Sequence, residues 1–172
     1  MADQTKTYDL NNLVLDDNTM SLLPEGSYRF KVDRHEIDYY SGNSDKIPAN
    51  TQQIITYLEI PYTDETGHMN TVIVRNTLNV YAKAMFALRQ FAECIGLCEE
   101  KGKFAFNVDT IDGKTGVCEL KHRQGNNGNE FNNIDSCYPP SKAPKKCMND
   151  DVWEFYEKGM TDVTVTEGDN PW

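Results

Sequence analysis

The chain has 172 residues, 38% of them hydrophobic, and a formal net charge of −10; that is enough apolar content for one domain with its own core and too little for two. No run reaches the roughly 18 apolar residues that cross a bilayer, and residues 1–10 are polar rather than a charged start followed by an apolar signal segment, so the expectation is a soluble, cytoplasmic protein. The net charge argues against a nucleic-acid partner, because phosphate binding is driven by Lys and Arg, but the charge is unevenly spread. Residues 1–23 hold four acids and one base, residues 149–172 hold seven acids and one base, and the stretch between is left at −1. Within it, residues 121–146 carry five bases (Lys121, Arg123, Lys142, Lys145, Lys146) against Glu130 and Asp135.

Residues 1–21 read as an N-terminal arm, and 22–26 as a turn. Residues 27–37 then alternate, with Tyr28, Phe30 and Val32 on one side and Arg29, Lys31 and Asp33 on the other, which is the pattern of a half-buried strand. A polar stretch at 39–51, opening on Tyr39 and Tyr40 and containing Gly42 and Pro48, reads as a long loop. Residues 53–62 are rich in β-branched and aromatic types, 64–67 carry hairpin-turn chemistry, and 70–78 resume the strand pattern. The period changes at 81–95, where Tyr81, Ala84, Met85, Leu88, Phe91, Ala92 and Ile95 recur every three or four residues and Gly96 supplies a stop, predicting a helix. Residues 104–111 fit either a strand or a turn-rich segment. Residues 117–123 and 130–138 read as two more strands around a Gly- and Asn-rich hairpin loop at 124–129. Residues 139–144 end the domain, and 150–156 predict a helical turn docking on it. Beyond Gly159 the acids and the few, scattered apolar residues predict a tail without fixed structure.

The five cysteines form an odd set without the spacing of a secreted disulfide framework and are read as reduced thiols. Cys94 with Cys98, and Cys118 with His122, are each four residues apart, so a zinc site built from both pairs is conceivable, but no Cys-x-x-Cys knuckle is present. The chain offers little to an enzyme. Gly113-Lys114-Thr115 lacks the upstream glycine and strand-to-helix setting of a phosphate-binding loop. Cys94 or Cys118 with His122 has no orienting partner, and the carboxylate pairs Glu99 with Glu100 and Asp150 with Asp151 are adjacent residues that cannot face one another on a helix. No catalytic residue, cofactor or resident metal is expected.

Three antiparallel strands, one helix and a two-stranded hairpin give the element order of a mainly β, five-stranded Greek-key barrel of the oligonucleotide-binding (OB-fold) type over residues 22–140, followed by a linker and acidic tail at 141–172. That fold binds single strands across its second and third strands, framed by the first-to-second and fourth-to-fifth loops, here 39–51 and 124–129. Binding without sequence preference needs flat rings for stacking and cations along the phosphates. The candidates are Tyr57 and Arg75 on strands two and three, Arg29 and Lys31 on strand one, Tyr39 and Tyr40 at its loop, and Lys121, Arg123 and Phe131 flanking the last hairpin. The tail ends on Asp169, Asn170, Pro171 and Trp172, an acidic strip closed by one rigid ring. Such a strip is steered by charge and anchored by its aromatic, and so serves as a peptide ligand for a protein partner.

Leu23-Pro24-Glu25-Gly26-Ser27-Tyr28, Leu88-Arg89-Gln90-Phe91-Ala92-Glu93-Cys94-Ile95-Gly96-Leu97 and Gly113-Lys114-Thr115-Gly116-Val117 leading to Lys121-His122-Arg123 resemble a bacteriophage family of single-stranded-DNA-binding-like proteins, over roughly residues 22–140. The resemblance implies an OB-like fold, no catalytic residues, and residence in the host cytoplasm. It also implies single-stranded DNA and replication or recombination proteins as partners, the latter held by the Asp169-Asn170-Pro171-Trp172 tip, which ends on Trp where the family has Phe. The pattern is compatible with a homo-oligomer. The alternative expectation is an interaction module or acidic DNA mimic that occupies a host protein's nucleic-acid site.

Overall fold

The computed structural model of the protein describes residues 22–104 and 106–159; the N-terminal arm and the whole tail, with Asp169, Asn170, Pro171 and Trp172, lie outside the described residues. Among those described, five strands form one antiparallel sheet: β1 (Gly26–Tyr39), β2 (Gln52–Thr63), β3 (Met69–Val80), β4 (Thr115–Gln124) and β5 (Glu130–Tyr138). The hydrogen-bonded order is β3-β2-β1-β4-β5. The long β1 serves both halves, pairing with β4 from Gly26 to Lys31 and with β2 from Lys31 to Tyr39. Helix α1 (Met85–Cys94) follows β3 after a single 3₁₀ turn at Ala82–Ala84, and helix α2 (Asp150–Glu157) closes the described chain.

The predicted alternation in β1 fixes which face is dry. Tyr28, Phe30 and Val32 are buried with Ile54, Leu58 and Ile60 of β2, Val72, Val74 and Leu78 of β3, and Cys118 and Leu120 of β4. Leu88, Phe91, Cys94 and Ile95 bring α1 onto that core, where the Phe30 and Phe91 rings stack with centroids 6.5 Å apart. Gly116 permits this approach, because a Cβ there would stand 2.6 Å from Cys94 Sγ and 2.8 Å from Phe30 Cζ. Gly96, with φ of +80°, ends the helix as its position predicts. Edge strands β3 and β5 converge beside α1 around a cleft lined by Asn76, Leu78, Phe91, Ile134 and Cys137, and the hydrogen-bonded sheet stays open between them.

One irregularity breaks the alternation. A β-bulge between Val32 and Arg34 adds a residue to β1, so Arg34 lies opposite Tyr57 and Glu36 opposite Ile55. From the bulge onward the even-numbered residues take the outer face and the odd ones turn toward the core side, where Ile37 meets Ile54. His35 turns with them and meets Asp112, Nδ1 to Oδ1, at 2.7 Å.

Residues beyond 140 continue to pack on the sheet. Asn149 is 1% exposed and Val152 fully buried. The Asn149 side chain accepts from the Arg29 amide at 2.9 Å and donates to the carbonyls of Arg29 at 3.0 Å and Pro61 at 2.8 Å, tying the start of α2 to both β1 and β2. At the far end of the helix the Tyr156 hydroxyl donates to Glu59 and its ring lies 6.0 Å from Lys31 Nζ. The predicted docking turn is therefore a two-turn helix laid across the outer face of β1 and β2. Among the described residues, no helix is long and apolar enough to cross a membrane.

Candidate nucleic-acid interface

Seven of the nine expected contact residues fall into three groups on the outer face of the sheet, and the two loop tyrosines stand apart. The first is a row that crosses three strands. Arg34 on β1, Tyr57 on β2 and Arg75 on β3 are direct register neighbours. The Arg34 guanidinium carbon lies 3.8 Å from the Tyr57 ring centroid, a cation–π contact, and the Tyr57 hydroxyl donates to Glu36. That hydrogen bond is the main reason the phenol is held above its ordinary pKa, with partial burial adding to it and the nearby Arg75 and Arg34 opposing it. The ring is therefore fixed at one end by a carboxylate and faced by a cation. Arg34 is also 3.6 Å from Asp33, and its side chain remains 55% exposed.

The second group lies under α2. Arg29 Nε is 2.6 Å from Asp150 Oδ1, and this bond is the largest cause raising the Arg29 pKa. Burial pushes the Asp150 carboxyl up, but the Cys147 amide and the Arg29 guanidinium more than offset it and leave it below its ordinary value. Lys31 is exposed and is engaged by the Tyr156 ring. The charge expected to meet a phosphate at Arg29 thus meets an acid of the chain itself.

The third group sits at the β4–β5 hairpin. Lys121 and Arg123 follow Val117 and Glu119 on the outer face, Arg123 pairs in register with Phe131, and Phe131 is 42% exposed beside the 125–129 turn. A bulge in the pairing brings Asp135 within 3.9 Å of Arg123. Leu120 pairs with Gly26, eight residues before Arg34 on β1, so the hairpin group and the Arg34 row stand about 25 Å apart at ~3.3 Å per residue, with α2 between them.

The two loop tyrosines behave differently from each other. Tyr39 is the last residue of β1 and is 58% exposed. The Tyr40 ring folds over Gly42, its hydroxyl accepts from the Ser44 amide at 2.8 Å, and its own backbone amide donates to the Thr51 carbonyl at 2.8 Å. Tyr40 shapes the loop, whereas Tyr39 is exposed but, turned by the bulge and paired with Gln52, stands on the core side of the sheet and not on the face of the Arg34 row.

The conceivable zinc pairs are not gathered. Cys94 Sγ donates to the Val117 carbonyl at 3.4 Å, and Cys118 is fully buried opposite Cys137, with burial pushing its thiol well up. His122 uses Nε2 on the Leu23 carbonyl at 2.6 Å. Among the described residues no group of three or more His, Cys, Asp or Glu is placed to hold a metal ion. No protein-family model matches the chain and no curated protein matches it.

Proposed function

We propose that this chain is a non-catalytic single-stranded DNA-binding protein that binds without sequence preference, belongs to the phage single-stranded-DNA-binding-like group its motifs resemble, and acts in replication or recombination in the host cytoplasm. The observation that carries the reading is the Arg34–Tyr57–Arg75 row, which places an aromatic ring between two cations on the solvent side of β1, β2 and β3. Stacking needs the ring and backbone tracking needs the cations, and the second-and-third-strand surface is where OB-type folds take their ligand. The convergence of β3 and β5 beside α1 supports reading the open sheet as a partly closed Greek-key barrel. Phe131, exposed on the same outer face at the β4–β5 hairpin, supplies a second ring at a distance from the row. Partner recruitment falls to the acidic tip at Asp169, Asn170, Pro171 and Trp172.

A gel shift tests this with a single strand of about 25 bases and a duplex of the same length, at low and moderate salt. The expected result is a shift with the single strand that weakens with salt and a weaker one with duplex. No shift at low salt, or equal binding to blunt duplex, overturns the reading. A second reading has one observation in its favour: α2 places Asp151, Glu154 and Glu157, all exposed, on the packed surface rather than on a removable end. On that reading the chain is an acidic module that occupies a host protein's nucleic-acid site, and it binds neither strand.

A further inference from the structure

Tyr57 has a hydrogen-bonded hydroxyl and a guanidinium stacked against its ring, so one face of the ring is already taken by Arg34. Arg34 belongs to none of the residues that strand alternation places on this face, because counting from Tyr28 turns it inward and only the bulge brings it out. On this structure it is the more exposed member of the stacked pair, with 55% of its side chain open to solvent. A guanidinium is planar and weakly hydrated, and nucleobases stack on it much as they stack on aromatic rings.

We propose, resting on the single-strand-binding reading above, that Arg34 is the base-stacking residue of this surface and that Tyr57 positions it. The base lies on the outer face of the guanidinium, with the Tyr57 ring behind it and the Glu36 carboxylate holding that ring in place. The neighbouring acids Asp33 and Glu36 repel a phosphate at this end of the row, so the backbone runs past Arg75, which is exposed on the opposite side of Tyr57. Arg34 therefore reads the base and Arg75 the phosphate. Both contacts are independent of which base is present, because every base offers a π-face.

The proposal separates planarity from charge. A lysine at position 34 keeps the positive charge and loses the flat platform, whereas a lysine at position 75 keeps what a phosphate contact needs. The test is fluorescence anisotropy on the full chain with two labelled probes of about 25 units, oligothymidine and a strand of abasic deoxyribose phosphates, over a range of salt. Arg34→Lys is expected to weaken oligothymidine binding roughly tenfold while its salt slope and the affinity for the abasic strand stay as in the unsubstituted protein. Arg75→Lys is expected to leave both probes nearly unchanged, and Arg75→Ala to weaken both and lower the slope by about 0.7. Equal binding of oligothymidine by Arg34→Lys and the unsubstituted protein, or equal losses on both probes, overturns the assignment of Arg34 while leaving single-strand binding intact. Failure of the unsubstituted protein to bind either probe at low salt overturns the functional reading itself, and this inference with it. Thermal melting of each variant against the unsubstituted protein checks that the outer-face changes leave the fold in place.

Discussion

Tyr57 and Phe91 are both large rings, and the structure gives them opposite duties. Phe91 is 1% exposed and stacks on Phe30, while Tyr57 is half-buried on the outer face between two arginines. Phe91→Ala is expected to cost about 3 to 5 kcal/mol of stability through the cavity it leaves. Tyr57→Ala is expected to cost about 1 to 3 kcal/mol of single-strand affinity and to move the melting temperature much less. Calorimetry on both variants, beside anisotropy on Tyr57→Ala, separates the two duties. Equal drops in melting temperature would put Tyr57 in the core's service and remove it from the interface. Tyr28 shows the inward case of the same residue type: its hydroxyl donates to the Pro24 carbonyl at 2.5 Å, and burial, with Cys118 beside it, pushes the phenol up to about 12.

At the scale of elements, what the sequence made legible was set by periodicity. Residues 27–37, 53–62, 70–78, 117–123 and 130–138 all lie in strands, and the 3.6-residue pattern ending at Gly96 marks α1, whose first expected turn is the 3₁₀ turn at Ala82–Ala84. Three features were not legible. The bulge at Val32–Arg34 leaves no mark in composition, since an inserted residue reads as one more step of alternation, and so Arg34 and Glu36 escaped the expected set while Asp33 stood in their place. The docking of α2 depends on one buried side chain, Asn149, whose three hydrogen bonds reach residues 120 and 88 positions away in sequence. The engagement of Arg29 and Lys31 by α2 follows from that docking and not from their own strand, where they look like any solvent-side charges. Among the described residues of 104–111, ambiguous by pattern, there is no strand, and a short 3₁₀ turn runs over Val108–Thr110.

The ion pair that helps seat α2 makes its docking dependent on acid. Asp150 has a folded-state pKa below its ordinary value, so its contribution is fully present above the unfolded value near 3.9 and is lost as pH falls through the lower folded value. In a Trp172→Phe background, Trp153 emission should therefore report a loosening of α2 below about pH 4, and Asp150→Asn should remove that step. A flat emission profile across the acid range, or the same step in Asp150→Asn, would show that Asn149 and Val152 hold the helix without help from the pair.

On the scale of the whole molecule, charge is arranged so that acids lie close to the cations they oppose. The described residues end at Gly159, just past Tyr156, whose ring faces Lys31 and whose hydroxyl donates to Glu59, on the same two strands as Arg34 and Tyr57. Residues 161–172 add three acids and no base from that point, a tethered anion at high effective concentration. Deleting residues 161–172 is expected to tighten single-strand binding, most at low salt where charge competition is least screened. Trp172→Ala keeps the charge and is expected to leave DNA affinity nearly unchanged while abolishing capture of replication or recombination partners. Unchanged affinity on deletion at low salt would end the competition argument.

The same arithmetic explains why total charge misleads: α2 and the tail carry the excess acids, and the strands that form the row carry their own cations. The central claim is that a single strand lies on the outer face of β1, β2 and β3 rather than elsewhere on the chain. Ultraviolet crosslinking of the full chain to an oligonucleotide containing 5-iodouracil, with the modified peptides identified by mass spectrometry, tests it most directly. The account predicts crosslinks confined to the β1, β2 and β3 peptides that carry Arg34, Tyr57 and Arg75, lost with excess unlabelled single strand. Crosslinks confined to other surfaces, or none at low salt, would contradict it.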